Sequence, residues 1–400
     1  MMLGAGRWLL RSAAALGSAR QGAAAAARAL SAAASRRTLF VTPPQQSEQQ
    51  QQQWAGAKIV DSKNWKANVD ASKFLCTAPD AVQEELCAYV KPLAAGALTH
   101  DTMDSHSVDR NQLKHTEAFL RDIEASHLIN GPAAAILQPI ANLNSILEIR
   151  LAALTMSQLM GECLKQNAQG ERSILVFDRD ATRQMVDGQR YHQSHEGGSL
   201  HTDNVNIPQC WEFMLLTCLQ PAVEGGQSIL VSASAVYEHF LRTDPQVLET
   251  LWRDFWWEYR GFNDAFYRAP ILFTNKMGEP CFRWLREYME SAHKRLGVAF
   301  TSAQQHALDA LTAVTLDPAF QFRHTFRQGE ILFANDLQLF HGRTAFLDAA
   351  PAQPTYDFEH PVNRLMQRNW VKTASVYRDI NQSDYTIPTR HQVTAIMQSN

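Results

Sequence analysis

Several absences narrow what this 400-residue chain can be. No stretch of about 18 apolar, charge-free residues occurs, so no membrane span is expected. The six cysteines (Cys76, Cys87, Cys163, Cys210, Cys218, Cys281) never form a Cys-x-x-Cys pair. That excludes a disulfide framework or zinc knuckle and points to reduced, mostly packed thiols in a reducing compartment. Neither charge sign dominates: 37 Lys and Arg stand against 40 Asp and Glu, for a formal net charge of -3. Such a balance gives no global pull toward nucleic acid or anionic membrane. No internal repeat is visible, which sets aside solenoids and propellers.

One further absence is local. No acidic residue precedes Glu48, while Arg7, Arg11, Arg20, Arg28, Arg36 and Arg37 interrupt long Ala runs with several Ser. A secretory signal needs an unbroken apolar core, and these arginines break it. A cationic, acid-free, amphipathic-helix composition is that of an organelle transit peptide. Residues 1–40 are therefore expected to direct the chain to the mitochondrion, with the plastid as the alternative. Residues 41–53, largely Gln with Pro43 and Pro44, read as a disordered linker that cannot bury a core.

What remains has the composition of a globular protein, 45% hydrophobic and 19% charged over the whole chain. From Asp80 the apolar residues Val82, Leu86, Val90 and Leu93 recur at helical steps, and residues 109–125 and 132–166 continue in that style. Residues 54–170 are thus expected to form a mostly helical part that packs on a core. The run Ser173-Ile174-Leu175-Val176-Phe177 is the first clear buried strand. Beyond it, strand-sized apolar runs alternate with Gly, Pro, Asp and Asn punctuation. Helical stretches are expected at 233–258, 279–296 and 302–315, the last capped by Thr301 or Ser302. The fold class expected is α+β: a double-stranded β-helix, or jelly roll, over residues 171–385. A helical insert at about 233–316 interrupts it, and residues 386–400 form a tail.

The chemistry is carried by a split pattern. His201 and Asp203 lie two apart, so in an extended segment both side chains point to one side. His341 lies far downstream in Phe340-His341-Gly342-Arg343. Two imidazoles and one carboxylate cover one face of a non-haem Fe(II) ion and leave the other face for a bidentate ligand and O2. A His-x-Asp pair alone is not specific in a chain with 14 His. The neighbouring segments give it meaning.

The segment His195-Glu196-Gly197-Gly198-Ser199-Leu200-His201-Thr202-Asp203 resembles the first metal strand of the TauD/TfdA-like Fe(II)- and 2-oxoglutarate-dependent dioxygenases. Glu224-Gly225-Gly226-Gln227-Ser228 is similar to the family's Gly-Gly-x-Thr/Ser turn, and Asn363-Arg364-Leu365-Met366-Gln367-Arg368 to its closing Arg-x-x-x-Arg strand. Residues 317–343 are similar to its approach to the second metal histidine. The resemblance covers roughly residues 170–375, with four short motifs in the family's order. It implies Fe(II), 2-oxoglutarate and O2 as cofactor and cosubstrates, with His201, Asp203 and His341 as ligands. It implies further that Arg364 holds the far carboxylate of 2-oxoglutarate with help from the Ser228 hydroxyl. Arg suits that role because its planar fork gives two charge-assisted hydrogen bonds and stays protonated. Arg368, four residues on, either meets a substrate anion or is itself the cosubstrate arginine. The loop 349–354 lengthens the family's spacing between His341 and Arg364.

The substrate is expected to be a small polar metabolite, hydroxylated at an unactivated C–H, with Asn204 and Asn206 as candidate pocket residues. His192 and His195, near the metal strand, read as loop or lid residues. The aromatic cluster Trp252, Trp256, Trp257, Tyr259, Phe262, Phe266 and Tyr267 reads as a packing face, with a cation cage as the alternative. Two other classes stay open at this point: a metal-dependent jelly-roll hydrolase or isomerase, and a binding protein of the same fold without turnover. Neither would need Arg364 or 2-oxoglutarate. Nothing in the sequence fixes an oligomeric state.

Overall fold

The structure is a computed structural model that describes residues 40–41, 53–96, 98–167, 169–182, 191–203, 205, 211–259 and 265–373. The chain divides into two units, Met1–Phe40 and Val41–Asn400, and all that follows concerns the second. The expected transit peptide, Gln-rich linker and C-terminal tail fall outside the described residues, apart from Phe40, Val41 and Gln53.

In chain order the strands used here are β1 (Leu75–Cys76), β2 (Ala134–Leu137), β3 (Ser173–Val176), β4 (Gly198–His201), β5 (Phe213–Gln220) and β6 (Ser228–Ser232). They continue with β7 (Asp254–Glu258), β8 (Phe266–Pro270), β9 (Gln321–His324), β10 (Ile331–Asn335), β11 (Leu339–Arg343) and β12 (Leu365–Lys372). The helices are α1 (Asp80–Gly96), α2 (Lys114–Ile123), α3 (Ile146–Met160), α4 (Ala233–Thr243), α5 (Pro245–Leu251), α6 (Arg286–Leu296) and α7 (Ser302–Leu316).

A seven-stranded sheet runs β1-β2-β10-β5-β12 and ends on the short strand Glu162–Cys163, with β3 also paired to β12. A four-stranded sheet runs β9-β6-β11-β4. These two sheets and the helices around them are the α+β jelly-roll fold that the strand pattern predicts. Alternation sorts the large sheet's side chains. Phe213, Leu215 and Leu219 of β5 and Leu365 and Val371 of β12 join a core with the helical layer α1–α3. Met214, Cys218, Met366 and Trp370, one residue out of step, enter the interior core with Leu230 and Val231 of the small sheet. The central strands β5 and β12 therefore have one side toward the helical layer and one side toward the interior.

Local signals place the helix ends. Ser145 and Glu148 form a capping box at the start of α3, and Thr301 and Gln304 do the same for α7, as the sequence predicts for Thr301. Three expected helices are shorter than the periodicity suggests. Within 132–166, Ala134–Leu137 is a strand and only Ile146–Met160 is helical. Pro139 and the Ser145 cap separate them, and a four-residue apolar run carries no period of its own. Within 233–258, Asp244-Pro245 splits α4 from α5, and the β-prone run Phe255-Trp256-Trp257 forms β7, paired with β8. Within 279–296, Pro280–Phe282 is a strand before α6.

Candidate metal and cosubstrate site

His201 ends β4 and stands directly opposite His341 of β11 in the small sheet. Asp203 follows two residues on. The ligand atoms of these three side chains all lie within 4.8 Å of one another, and they are the only such group found among the described residues. The two imidazole rings are 4.5 Å apart, and His201 Nε2 is 3.9 Å from Asp203 Oδ1. His201 Nδ1 sits 2.7 Å from the Ser199 carbonyl, which makes Nδ1 the donor and leaves Nε2 free to ligate. Ser199 holds this arrangement with φ 39, in the left-handed region a serine seldom enters.

The electrostatics favour a cation here. Burial, then the nearby His341, drives His201 down to about 3, so its imidazole is neutral and ready as a ligand. Burial works against the Asp203 charge, but Arg368, His341 and His201 outweigh it and hold the carboxyl at about 2. Burial likewise opposes charge on His341, yet Asp336 and Asp203 win and raise it. Positive charge is thus favoured beside the Asp203 carboxylate, and a divalent ion held by the three ligand side chains would supply it. The donor set fits Fe(II).

Both oxygens of Asp203 are oriented from β12. Arg368 Nη1 donates to Oδ1 at 3.0 Å and Trp370 Nε1 donates to Oδ2 at 2.9 Å. Arg368 Nε donates in turn to Gln166 Oε1 at 3.0 Å. Behind the site, buried Asp336 accepts the Asp203 backbone N–H at Oδ2, 2.8 Å, and puts Oδ1 3.2 Å from His341 Nδ1. That last contact is close but poorly angled, so neither atom has a well-directed hydrogen-bond partner. Asp336 nevertheless spans the two ligand segments. The sequence offered no signal for Asp336, Trp370 or Gln166, because each acts through a partner distant in sequence or through its own backbone turn.

Arg364 precedes β12 on the interior side and is 3% exposed. Its backbone N–H donates to Asp348 Oδ1 at 2.7 Å, and its guanidinium lies 5.0 Å over the Phe346 ring. Its Nη1 has no hydrogen-bond partner. Burial and the charge of Arg343 pull Arg364 down to about 10, still protonated at neutral pH. A buried guanidinium without an anion is costly unless something supplies one. A carboxylate of 2-oxoglutarate fits that orphaned nitrogen. Arg368, by contrast, already has Asp203 and Gln166. Gly226, at φ +66, makes room: a Cβ there would lie 3.1 Å from Arg364 Nε. Ser228 is buried at the start of β6, in register with Arg343. Partners across a ladder share a face, so Ser228, Leu230, His341 and His201 all belong to one face of the small sheet.

Asn204 and Asn206 lie outside the described residues. His195 pairs with Asp178 Oδ2 at 2.9 Å and is not part of the ligand group. In the aromatic cluster Trp257 and Tyr267 are buried, with the Arg283 guanidinium 5.9 Å and 5.7 Å from their rings. The chain's own cation faces them, and the cluster is packing; Phe262 lies outside the described residues.

The taurine catabolism dioxygenase TauD, TfdA family matches the chain over residues 138–368. Among curated proteins the chain is similar to taurine hydroxylase-like protein SAT17 of Stachybotrys chartarum, 29% identical over 147 residues, 36% of this chain and 37% of the relative. It is also similar to FR-33289 synthase of Streptomyces rubellomurinus, 24% identical over 193 residues, 47% of this chain and 55% of the relative. The matches thus span less than two thirds of either relative. Among solved structures, asparagine oxygenase in complex with Fe(II), 2S,3S-3-hydroxyasparagine and succinate superposes with TM-score 0.53 at 18% identity, covering 75% of this chain and 94% of that one. The non-heme iron oxygenase OrfP with Fe and alpha-ketoglutaric acid gives TM-score 0.51 at 13% identity, with the same coverage. At such identities the likeness speaks for the fold.

Proposed function

The chain belongs to the TauD/TfdA dioxygenase family, and from that premise we propose that it is an Fe(II)- and 2-oxoglutarate-dependent oxygenase. It hydroxylates an unactivated C–H of a small polar metabolite and converts 2-oxoglutarate and O2 to succinate and CO2. One observation carries the reading: besides the His201–Asp203–His341 group the chain buries Arg364 with an Nη1 that has no hydrogen-bond partner. A hydrolase or a binding protein with the same three ligands has no use for that arginine.

Bound Fe(II) with 2-oxoglutarate supplies the O2 activation and the two-electron oxidation of the substrate. The chain's residues bind and orient. His201, Asp203 and His341 would hold the metal, and Arg368 and Trp370 orient the Asp203 carboxylate by donating to its two oxygens. Arg364 receives the far carboxylate of 2-oxoglutarate, with the Ser228 hydroxyl as a second donor. Arg368 is partly exposed, as is Leu216 beside it in the sheet register, although both lie on central strands. Beyond its bonds to Asp203 and Gln166, Arg368 offers the exposed part of its guanidinium to an anionic group of the substrate. Asn204 and Asn206, which follow Asp203 in the sequence, are proposed as further substrate-binding residues.

The test is 2-oxoglutarate-dependent succinate formation by the full chain with Fe(II), ascorbate and O2. Pooled amino acids, betaines, sulfonates and phosphonates serve as substrates, and His341→Ala as control. Succinate that requires His341 and rises with one pool supports the oxygenase. Activity indifferent to 2-oxoglutarate favours the hydrolase. The arginine-rich, acid-free N-terminus further supports import into mitochondria, with plastid import as the alternative outcome of a fluorescent-fusion experiment on residues 1–53.

A further inference from the structure

Arg150 lies in α3, on the helical side of the large sheet and away from the metal. It is 3% exposed. Asp104, Asp101 and Glu171 act on it through space, but among the described residues no carboxylate pairs with it. Burying an unpaired guanidinium is costly unless other groups compensate. The partners that do so come from three separate segments. Arg150 Nε donates to Gln367 Oε1 at 2.9 Å. Its Nη1 meets His100 Nδ1 at 2.9 Å and the His100 carbonyl at 3.3 Å. Its guanidinium lies 5.3 Å over the Phe358 ring, which is itself stacked on His100 at 3.7 Å.

Two of these partners lead back to the site. Gln367 is on β12 between Arg364 and Arg368, and it returns its amide to the Arg150 carbonyl at 3.1 Å and to Asn369 Oδ1 at 3.0 Å. Phe358 belongs to the lengthened 348–363 segment that runs into Arg364. That loop is closed at its base by Asn363, which donates to the Ala350 carbonyl at 3.0 Å and accepts the Ala350 N–H at 2.9 Å. Asp348, at its start, takes the Arg364 N–H. One side chain thus clamps the strand that carries both interior arginines and the loop that delivers the first of them.

We propose that Arg150 is a positioning residue for the cosubstrate: through Gln367 and Phe358 it fixes the strand and loop that aim Arg364 into the interior. The inference rests on the reading of Arg364 as the 2-oxoglutarate arginine. It assigns a purpose to a buried charge that a well-packed apolar side chain would otherwise replace at no loss of stability.

The test uses the full chain, wild type and Arg150→Met, with Arg150→Lys and Leu86→Ala as companions. Leu86 is buried in the same helical core and has no part in the network. Calorimetric titration of 2-oxoglutarate is done anaerobically with Mn(II) in the metal site, alongside Mn(II) titration of each variant. Hydrogen exchange is followed over residues 349–363. Arg150→Met is expected to weaken 2-oxoglutarate about fivefold or more, a change typical of coupled neighbours, and to leave Mn(II) affinity within about twofold. It also speeds exchange in 349–363, and Arg150→Lys recovers part of both losses. Unchanged 2-oxoglutarate affinity in Arg150→Met overturns the proposal. So does an equal weakening in Leu86→Ala, which would make the effect one of stability alone. A wild type that binds Mn(II) but not 2-oxoglutarate defeats the cosubstrate reading first and this inference with it.

Discussion

Arg364→Met should move ligand binding and stability in opposite directions. The guanidinium is buried, its Nη1 lacks a partner, and burial with Arg343 nearby lowers it from 12.5 to about 10. At about 1.4 kcal/mol per tenfold shift in proton affinity, the ligand-free fold carries a cost on the order of 3 kcal/mol for holding that charge. Methionine keeps much of the length and the contact with Phe346 while removing the charge. Some packing is lost, so the net gain in ligand-free stability is expected to be about 1–2 kcal/mol. The same change removes the charge and the donors proposed for the 2-oxoglutarate carboxylate, among them the partnerless Nη1. Truncating one partner of a buried, hydrogen-bonded charge pair costs about 2–5 kcal/mol, or roughly 30- to several-thousand-fold in affinity. Urea unfolding of the ligand-free protein and anaerobic 2-oxoglutarate titration read the two effects separately. A variant that is destabilised and still binds 2-oxoglutarate like the wild type would refute the reasoning, for Arg364 would then be a structural cation.

Three further outcomes follow from neighbouring groups. Asp336→Asn keeps an acceptor for the Asp203 N–H but presents an amide to His341 Nδ1; Mn(II) titration should show affinity about 10- to 100-fold lower, with the fold intact by circular dichroism. Gly226→Ala places a Cβ 3.1 Å from Arg364 Nε on a φ of +66, so 2-oxoglutarate KM should rise while Mn(II) affinity stays put. On acidification the unfolded chain protonates His201 near 6.5, whereas the folded metal-free chain resists until about 3. The stability His201 contributes is therefore present above 6.5 and lost as pH falls toward 3, by about 2 kcal/mol at pH 5. The fall in urea midpoint from pH 7 to pH 5 should be smaller in His201→Gln; an equal fall would contradict the assignment.

The ligand pattern was legible in the sequence because two of its members are neighbours on one extended segment, where a spacing of two already fixes a shared side. His341 came with the motif that surrounds it, and the strand order then set it opposite His201. What supports the ligands was not legible. Trp370 reaches Asp203 from 167 residues away, and Gln166 reaches Arg368 across 202. No local period encodes such pairs. Arg364 and Arg368 look alike in sequence, four apart on one strand face. They differ only in what they touch: Arg368 has Asp203 and Gln166, and Arg364 has an empty Nη1. The short strand at Ala134–Leu137 and the ribbon at Asp254–Glu258 were hidden for another reason. Short apolar or aromatic runs beside real helices read as more helix until a proline or a cap is given its full weight.

The central claim is that His201, Asp203 and His341 hold Fe(II) in a state that 2-oxoglutarate then chelates under Arg364. Anaerobic addition of 2-oxoglutarate to the Fe(II)-loaded protein tests it most directly, by the visible charge-transfer band that arises when a 2-oxo acid chelates ferrous iron. The account predicts a saturable band in the wild type, none in His341→Ala, and in Arg364→Met one that appears only at far higher 2-oxoglutarate. A wild type that binds Fe(II) and gives no band at any 2-oxoglutarate concentration would contradict it.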